Sequence, residues 1–379
     1  MIKKRIEEVD ILRGLAFLAV VLQHSLASFI YEPNVNTYEG IISAFILNSL
    51  RFAVPIFVFM TGFSLYYTDK GVGYFEFILK RFKQIVIPYM LWTLVYDILM
   101  FFIMGKFDLS FKDIVYQYFN YVLTGTGFYH LWYMAMIIQF YIVFPLFKIF
   151  INKNRSFIVN TISLIVFFIA HIGILYWYNF YAGAQFASAT GILKVILQYS
   201  DRIFIVWMFY FVFGAYFSIY YDKLKSIFIK LKYLWFGGFI ISIGYIMYLM
   251  ISSSSYNKTG GYVINHAIGA PVNMPMLPLL IFSILSIYII SLKLLNYKLS
   301  KYILIVGKYS FGAYLAHALV LHYVNIGVKY IIPGFFLKIG VSFILGSVIS
   351  VYFVYILSKS NNGFILKFVG LKKQAIKNK

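Results

Sequence analysis

The chain has 379 residues, 62% of them hydrophobic and only 12% charged, and its 33 Lys+Arg against 12 Asp+Glu give a formal net charge of +21. A soluble domain carries about 25% charged residues, so an ordinary soluble enzyme and a disordered chain are excluded: too little polar surface remains to cover this much Phe, Tyr, Ile and Leu. There is no cysteine, which excludes disulfides, thiolate nucleophiles and Cys-bound metals.

A helix that crosses a bilayer needs about 20 mostly apolar residues. Ten stretches qualify, at 11–31, 41–67, 84–104, 130–150, 157–178, 202–221, 233–251, 274–295, 302–323 and 332–357. The expected fold is therefore an all-α integral membrane protein of about ten transmembrane helices. Its basic residues sort by gap. Lys3, Lys4 and Arg5, then Lys70, Lys80, Arg81 and Lys83, then Lys148, Lys153 and Arg155 fall on one side. Lys223, Lys225, Lys230 and Lys232, then Lys293, Lys298 and Lys301, and the tail lysines from Lys359 to Lys379 fall there too. The other side has Arg51, Lys106, Lys112, Lys194, Arg202, Lys258, Lys329 and Lys338. Positive loops stay in the cytoplasm, so both termini are expected there. Topology accounts for most of the positive charge, and no nucleic-acid partner is expected.

Met1 to Ser28 has a basic start, an apolar run and small residues at Ala27 and Ser28. The run is longer than a typical signal-peptide core, so this stretch reads as a retained first span. Residues 1–358 form a single polytopic membrane domain, and 359–379 form a basic cytoplasmic tail expected on the anionic inner leaflet. The longest gaps, 105–129, 179–201 and 252–273, face outside, where short re-entrant or interfacial pieces are expected and Ser252–Ser255 reads as a flexible turn. The absence of internal repeats or inverted symmetry argues against common transporter folds.

Ionisable groups within a span are costly and mark functional sites. The first span holds Arg13 and His24. Eleven residues is close to three turns, which puts both on one helix face about 16 Å apart along the axis. Arg13 is also explained by snorkelling to inner phosphates, and His24 by a hydrogen bond that staples two helices. His130 opens the fourth span, and Asp97, His171 and His317 lie deep in the outer halves of theirs. His171 is the expected bystander, while Arg51 and Arg202 are equally explained as interfacial anchors. The cluster Lys80-Arg81-Phe82-Lys83 precedes the third span and suits a phosphate-rich cytosolic ligand. The expected layout is a basic inner mouth and a His-rich outer pocket joined along one helix face in a shared interior cavity. Six scattered histidines without carboxylate or cysteine spacing give no zinc set, so no metal site is expected.

These motifs, in order, resemble the acyltransferase-3 family of integral membrane O-acyltransferases. Arg13 and His24 in the setting Asp10-Ile11-Leu12-Arg13-Gly14 match its signature. Pro55–Ser64, Lys80-Arg81-Phe82-Lys83 with Ile87-Pro88-Tyr89, His130-Leu131-Trp132-Tyr133-Met134, Phe211–Ala215 and Gly307–His317 resemble its later helices. The lack of a fused outer hydrolase-like domain looks like the family's stand-alone branch. Residues 127–139 and 207–216 are similar to the poly-N-acetylglucosamine modifying protein of biofilm operons. The family often has two arginines in its cytoplasmic motif, whereas this chain has one arginine among lysines, and lysine lacks the bidentate fork.

The resemblance implies transfer of an acyl group, usually acetyl, from cytosolic acyl-CoA to a hydroxyl of an exported glycan or lipid-linked sugar, in a bacterial-type cell membrane. His24 would be the general base, with Arg13, Asp97 and His130 completing the catalytic set and Asp97 or another buried partner orienting the imidazole. Arg13, Lys80, Arg81 and Lys83 would hold the acyl-CoA phosphates, the coenzyme being a co-substrate rather than a resident group. Ser310 is an acyl-carrier candidate and equally a packing serine. Two other classes remain open from the sequence: an exporter or flippase for a polysaccharide or lipid-linked sugar, and a scaffold subunit of a polysaccharide synthase complex.

Overall fold

The computed structural model describes residues 6–32, 35–69, 71–105, 109–256 and 262–371. Of the basic residues named above, Lys3, Lys4, Arg5, Lys70, Lys106, Lys258, Lys372, Lys373, Lys377 and Lys379 lie outside the described residues. The chain runs α1 (Glu7–Ala27), α2 (Thr37–Ser49), α3 (Ala53–Tyr67), α4 (Tyr74–Arg81), a π-turn (Phe82–Val86) and α5 (Ile87–Met104). It continues with α6 (Phe111–Thr124), α7 (Trp132–Phe150), α8 (Phe157–Phe180), α9 (Ala182–Ser188), α10 (Gly191–Gln198) and α11 (Phe204–Ile219). The rest is α12 (Tyr221–Lys230), α13 (Lys232–Ser252), α14 (Met276–Leu294), α15 (Ser300–Ile331), α16 (Phe335–Leu357) and α17 (Gly363–Phe368). Among the described residues, the β-structure is a two-residue antiparallel ladder that pairs Ser255 with Val263.

Among the described residues, ten helical runs are long and apolar enough to cross a membrane, and each coincides with one of the ten expected stretches. Two of them differ internally from a plain span. The second is broken: α2 ends and α3 begins across a turn at 50–52, where the side-chain amide of Gln23 donates to the Leu50 carbonyl at 2.6 Å. The third is one run from Tyr74 to Met104 with a π-turn just before Pro88. Pro88 has no N–H to offer and its ring crowds the carbonyl four residues back, so the ladder widens there. In the gaps 105–129 and 179–201 the chain forms the short helices α6, α9 and α10. Ser253 and Ser254 are held, their hydroxyls donating to the carbonyls of Leu249 and Met250.

Burial sorts the bundle. The most apolar window is 67% buried for α1 and 72% for the run ending in α11, against 17% for α8. α1, α3, α11 and α15 therefore form the centre, and α8 and α13 the rim. Lipid is as apolar as leucine, so close backbone approach and dispersion must hold these helices together. Two reciprocal glycine contacts supply that approach. A Cβ on Gly62 of α3 would overlap the Phe211 carbonyl of α11, and one on Gly214 of α11 would overlap the Phe59 carbonyl of α3. In the same way Gly14 of α1 faces the Ile303 carbonyl of α15, and Gly307 faces the Asp10 carbonyl of α1.

After α16 the chain turns back. Leu366 and Val369 are buried, the Trp92 indole donates to the Phe368 carbonyl at 3.0 Å, and the two rings stack at 4.8 Å. The first part of the tail, to Leu371, thus packs onto α5.

If the α3–α11 crossing is a requirement, Gly214→Val should destabilise the protein by at least about 3 kcal/mol. Gly244→Val on α13, where a side chain would meet nothing within 4 Å, should cost no more than about 1 kcal/mol. Thermal unfolding of the two variants in detergent compares them directly.

Candidate active site

Two cavities open within the bundle. The first lies toward the end where α1 begins and has a volume of about 190 Å³. Arg13 and Arg81 line it with Ser64, Tyr133, Tyr141 and Ser310. The Arg13 guanidinium donates to the Ser64 hydroxyl at 2.6 Å and to Asp10 at 3.2 Å. Arg81 lies over the rings of Phe77 and Tyr141, 5.3 Å from each centroid, and its Nε is buried without a partner. The half-buried Arg81 is thus bound through its flat faces while its edge donors stay available, an arrangement suited to an oxyanion.

The second cavity, about 280 Å³, lies toward the other end of α1. His24, His130, Arg51, Gln23, Trp132 and Trp207 are among its lining residues. The two indoles lie 5.8 Å apart: Trp132 is half-buried and faces the cavity, while Trp207 is buried behind it and donates from its ring nitrogen to the Asp201 carbonyl at 2.7 Å. His24 is half-buried, and its ring packs on Tyr129 at 4.6 Å and stacks on His317 at 5.4 Å. His130 is 1% exposed, has no partner for either ring nitrogen and meets the His317 ring edge-on at 4.8 Å.

Tyr314 lines both cavities. Its hydroxyl donates to the His130 carbonyl at 2.5 Å, and its own carbonyl lies 2.5 Å from Nδ1 of His317. A carbonyl only accepts, so that Nδ1 carries the ring proton and Nε2, which has no partner, keeps its lone pair. The three imidazoles stack and cross edge-on, and no group of three or more His, Asp or Glu among the described residues is able to hold a metal ion.

The structure thus places Arg13 and His24 in adjoining cavities that share a wall at Tyr314, not in one continuous chamber. It brings His24 and His130 together and puts Arg13 with Arg81. Lys80 and Lys83 are exposed and line neither cavity. Asp97 is buried, but its carboxylate accepts from Gln117 of α6 at 2.9 Å, so the group against His24 is His317 instead. The Ser310 hydroxyl donates to the Gly307 carbonyl at 2.9 Å, a local bond that packs the helix. His171 lies between α8 and α11, against Phe209 and Tyr210. Arg202 pairs with Asp201 at 3.1 Å.

Tyr314, Ser64 and the indole pair were not singled out from the sequence, although every one of them lies in or beside a quoted motif. Nothing in spacing distinguishes a partitioning tyrosine from the many aromatic residues that pack in the core. Arg51 is more than an interfacial anchor, because it shares the cavity of His24. Burial, with the Arg51 guanidinium next in effect, pushes the nearby His266 imidazole below its ordinary value.

No curated protein and no solved structure matches the chain. A family model does: the acyltransferase-3 model, described as an acyltransferase domain, covers residues 6–359. The ten spanning helices, the central pair of cavities and this nearly full-length match lead to one conclusion, that the chain belongs to the acyltransferase-3 family and is a membrane acyltransferase.

Proposed function

We propose that the chain transfers an acyl group, acetyl in the simplest case, from acyl-CoA bound at the Arg13–Arg81 cavity to a hydroxyl of a glycan or lipid-linked sugar in the His24 cavity. The single observation that carries this is the pair of cavities meeting at Tyr314, with cationic groups in one and an accessible imidazole in the other. The bias of Lys and Arg among the loops supports a cytoplasmic donor side, and on this reading the acyl group leaves the cytosol and the acceptor waits outside.

The chemistry follows from the groups present. Arg13 and Arg81 hold phosphate oxygens, Arg81 with the fork that Lys80 and Lys83 lack. The two exposed lysines attract the polyanion without gripping it. The thioester end reaches past Tyr314. His24 takes the acceptor hydroxyl proton, the oxygen bonds to the acyl carbon, the carbon–sulfur bond breaks, and the thiolate takes up the proton that His24 accepted, which restores the neutral imidazole. Among the three imidazoles His24 is the base because it is half-buried in a cavity, whereas His317 is 0% exposed and lines neither cavity. His317 and His130 pack around the base and fix its ring.

A carbohydrate acceptor is favoured by Trp132, whose half-buried indole offers the cavity an apolar face. Transfer is favoured over export because each cavity fits the reacting end of a substrate, not a polymer, and packed aromatic residues stand between them. A polysaccharide synthase complex is the natural source of such an acceptor.

With labelled acetyl-CoA and purified protein in nanodiscs, His24→Ala should lower acyl transfer about 10²–10⁴-fold, the usual contribution of a positioned acid–base group, while the protein still inserts and folds. Transfer at the parental rate would reject His24 as the base. On the donor side, Arg81→Gln should raise the KM for acetyl-CoA about tenfold, a charge-assisted hydrogen bond being worth ~1.5–3 kcal/mol. Lys83→Gln should change it no more than about twofold.

A further inference from the structure

The described arginines divide by what holds them. Arg13 has Asp10, Arg202 has Asp201, and Arg155 donates to the Phe150 carbonyl. Two lysines are paired as well, Lys329 and Lys338 both reaching Glu32. Arg81 and Arg51 differ: neither has a carboxylate, and each has a buried Nε without a hydrogen-bond partner. One of these two lines each cavity. The proposed donor accounts for Arg81, since acyl-CoA brings phosphates to it. Arg51 has no such account.

Arg51 is held where it is. It occupies the turn that breaks the second span, and Gln23 ties that turn to α1 through the Leu50 carbonyl. The residue next to Gln23 is His24, so the same short stretch of α1 fixes the base and the cation relative to each other. Asp201, also in the cavity lining, is taken up by Arg202. A half-buried guanidinium without an anion is costly in a low-dielectric interior, and a group that arrives with the acceptor offsets that cost each time it binds.

We infer that the His24 cavity selects an anionic acceptor: a sugar whose phosphate or carboxylate pairs with Arg51 while its ring lies on Trp132 and its hydroxyl reaches His24. This rests on the proposal that this cavity is the acceptor site, and it adds the acceptor's charge class. The phosphate of a sugar phosphate and the carboxylate of a uronic acid present the same planar pair of oxygens to a guanidinium fork.

Binding tests it without turnover. The full chain in maltoside micelles, which hold no phosphate, is titrated by tryptophan fluorescence with glucose 1-phosphate, glucuronate and methyl glucoside. The two anions should bind about tenfold more tightly than the neutral sugar, the size of one charge-assisted pair. Arg51→Gln should remove that preference and leave methyl glucoside affinity within about twofold, and Arg51→Lys should keep part of it. Arg81→Gln, which alters only the donor cavity, should leave it intact. Equal binding of charged and neutral sugars by the parent, a preference that survives Arg51→Gln, or one lost in Arg81→Gln would overturn the inference. So would competition by phosphatidylglycerol at the affinity of glucose 1-phosphate, because Arg51 would then serve the bilayer. An acyl-transfer assay on the same samples separates the two proposals. A preference that depends on Arg51 without any transfer sinks the transferase reading alone, and transfer without the preference sinks this one alone.

Discussion

Everything at the centre of this protein depends on how closely four helix backbones approach. In lipid no hydrophobic force drives helices together, so contact must come from shape. The reciprocal glycines Gly14/Gly307 and Gly62/Gly214 remove the side chains that would hold α1 from α15 and α3 from α11. Each crossing sits beside chemistry. Arg13 precedes Gly14, Ser64 follows Gly62 by two residues, and Ser310 and Tyr314 lie one and two turns past Gly307. The crossing that fixes the backbones therefore also fixes the positions of the cavity-lining groups, and the Arg13–Ser64 hydrogen bond across α1 and α3 at 2.6 Å is a consequence of that register.

The same economy governs charge. Of the described arginines, those with a protein partner are tied to carboxylates or a carbonyl, and the two without one face cavities. Solvating a guanidinium by aromatic faces, as Phe77 and Tyr141 do for Arg81, keeps the side chain ordered while leaving its edge open. Order without saturation is what a binding site for an incoming anion requires, since a fully paired cation has nothing left to offer and a free one loses entropy on binding.

Much of this was legible in the sequence because it rests on composition and period. Ten apolar runs give ten crossing helices, and eleven residues between Arg13 and His24 put them on one face of α1 whatever the neighbours do. What was not legible depends on contacts between distant segments. The break at 50–52 lies inside a stretch long enough to read as one span despite Asn48, Ser49 and Arg51, and the turn is held partly by Gln23 on another helix. Asp97 lies at a depth similar to that of His24, but depth says nothing of azimuth, and α5 turns it toward Gln117. His317 comes to stack on His24 only because Gly14 and Gly307 set the α1–α15 register. The tail reads as a polar extension, yet Leu366, Phe368 and Val369 space its apolar groups to dock on Trp92.

Tyr314 connects these threads. A transferase that works across a membrane must let an acyl group pass and keep water and ions from following, so an open channel between donor and acceptor sites would serve it badly. A partition of packed aromatic side chains, with Tyr314 lining both cavities and Phe57 and Tyr133 against it, is a barrier that meets both demands. Tyr314 is anchored at its hydroxyl by the His130 carbonyl, and its backbone carbonyl holds the tautomer of His317, the ring stacked on His24. On the proposed reaction, a shift of Tyr314 that admitted a thioester from the Arg13 side would therefore be felt by the imidazoles on the other side. Passage at the wall and alignment of the proposed base would then be coupled through Tyr314, whose two anchors reach His130 and His317.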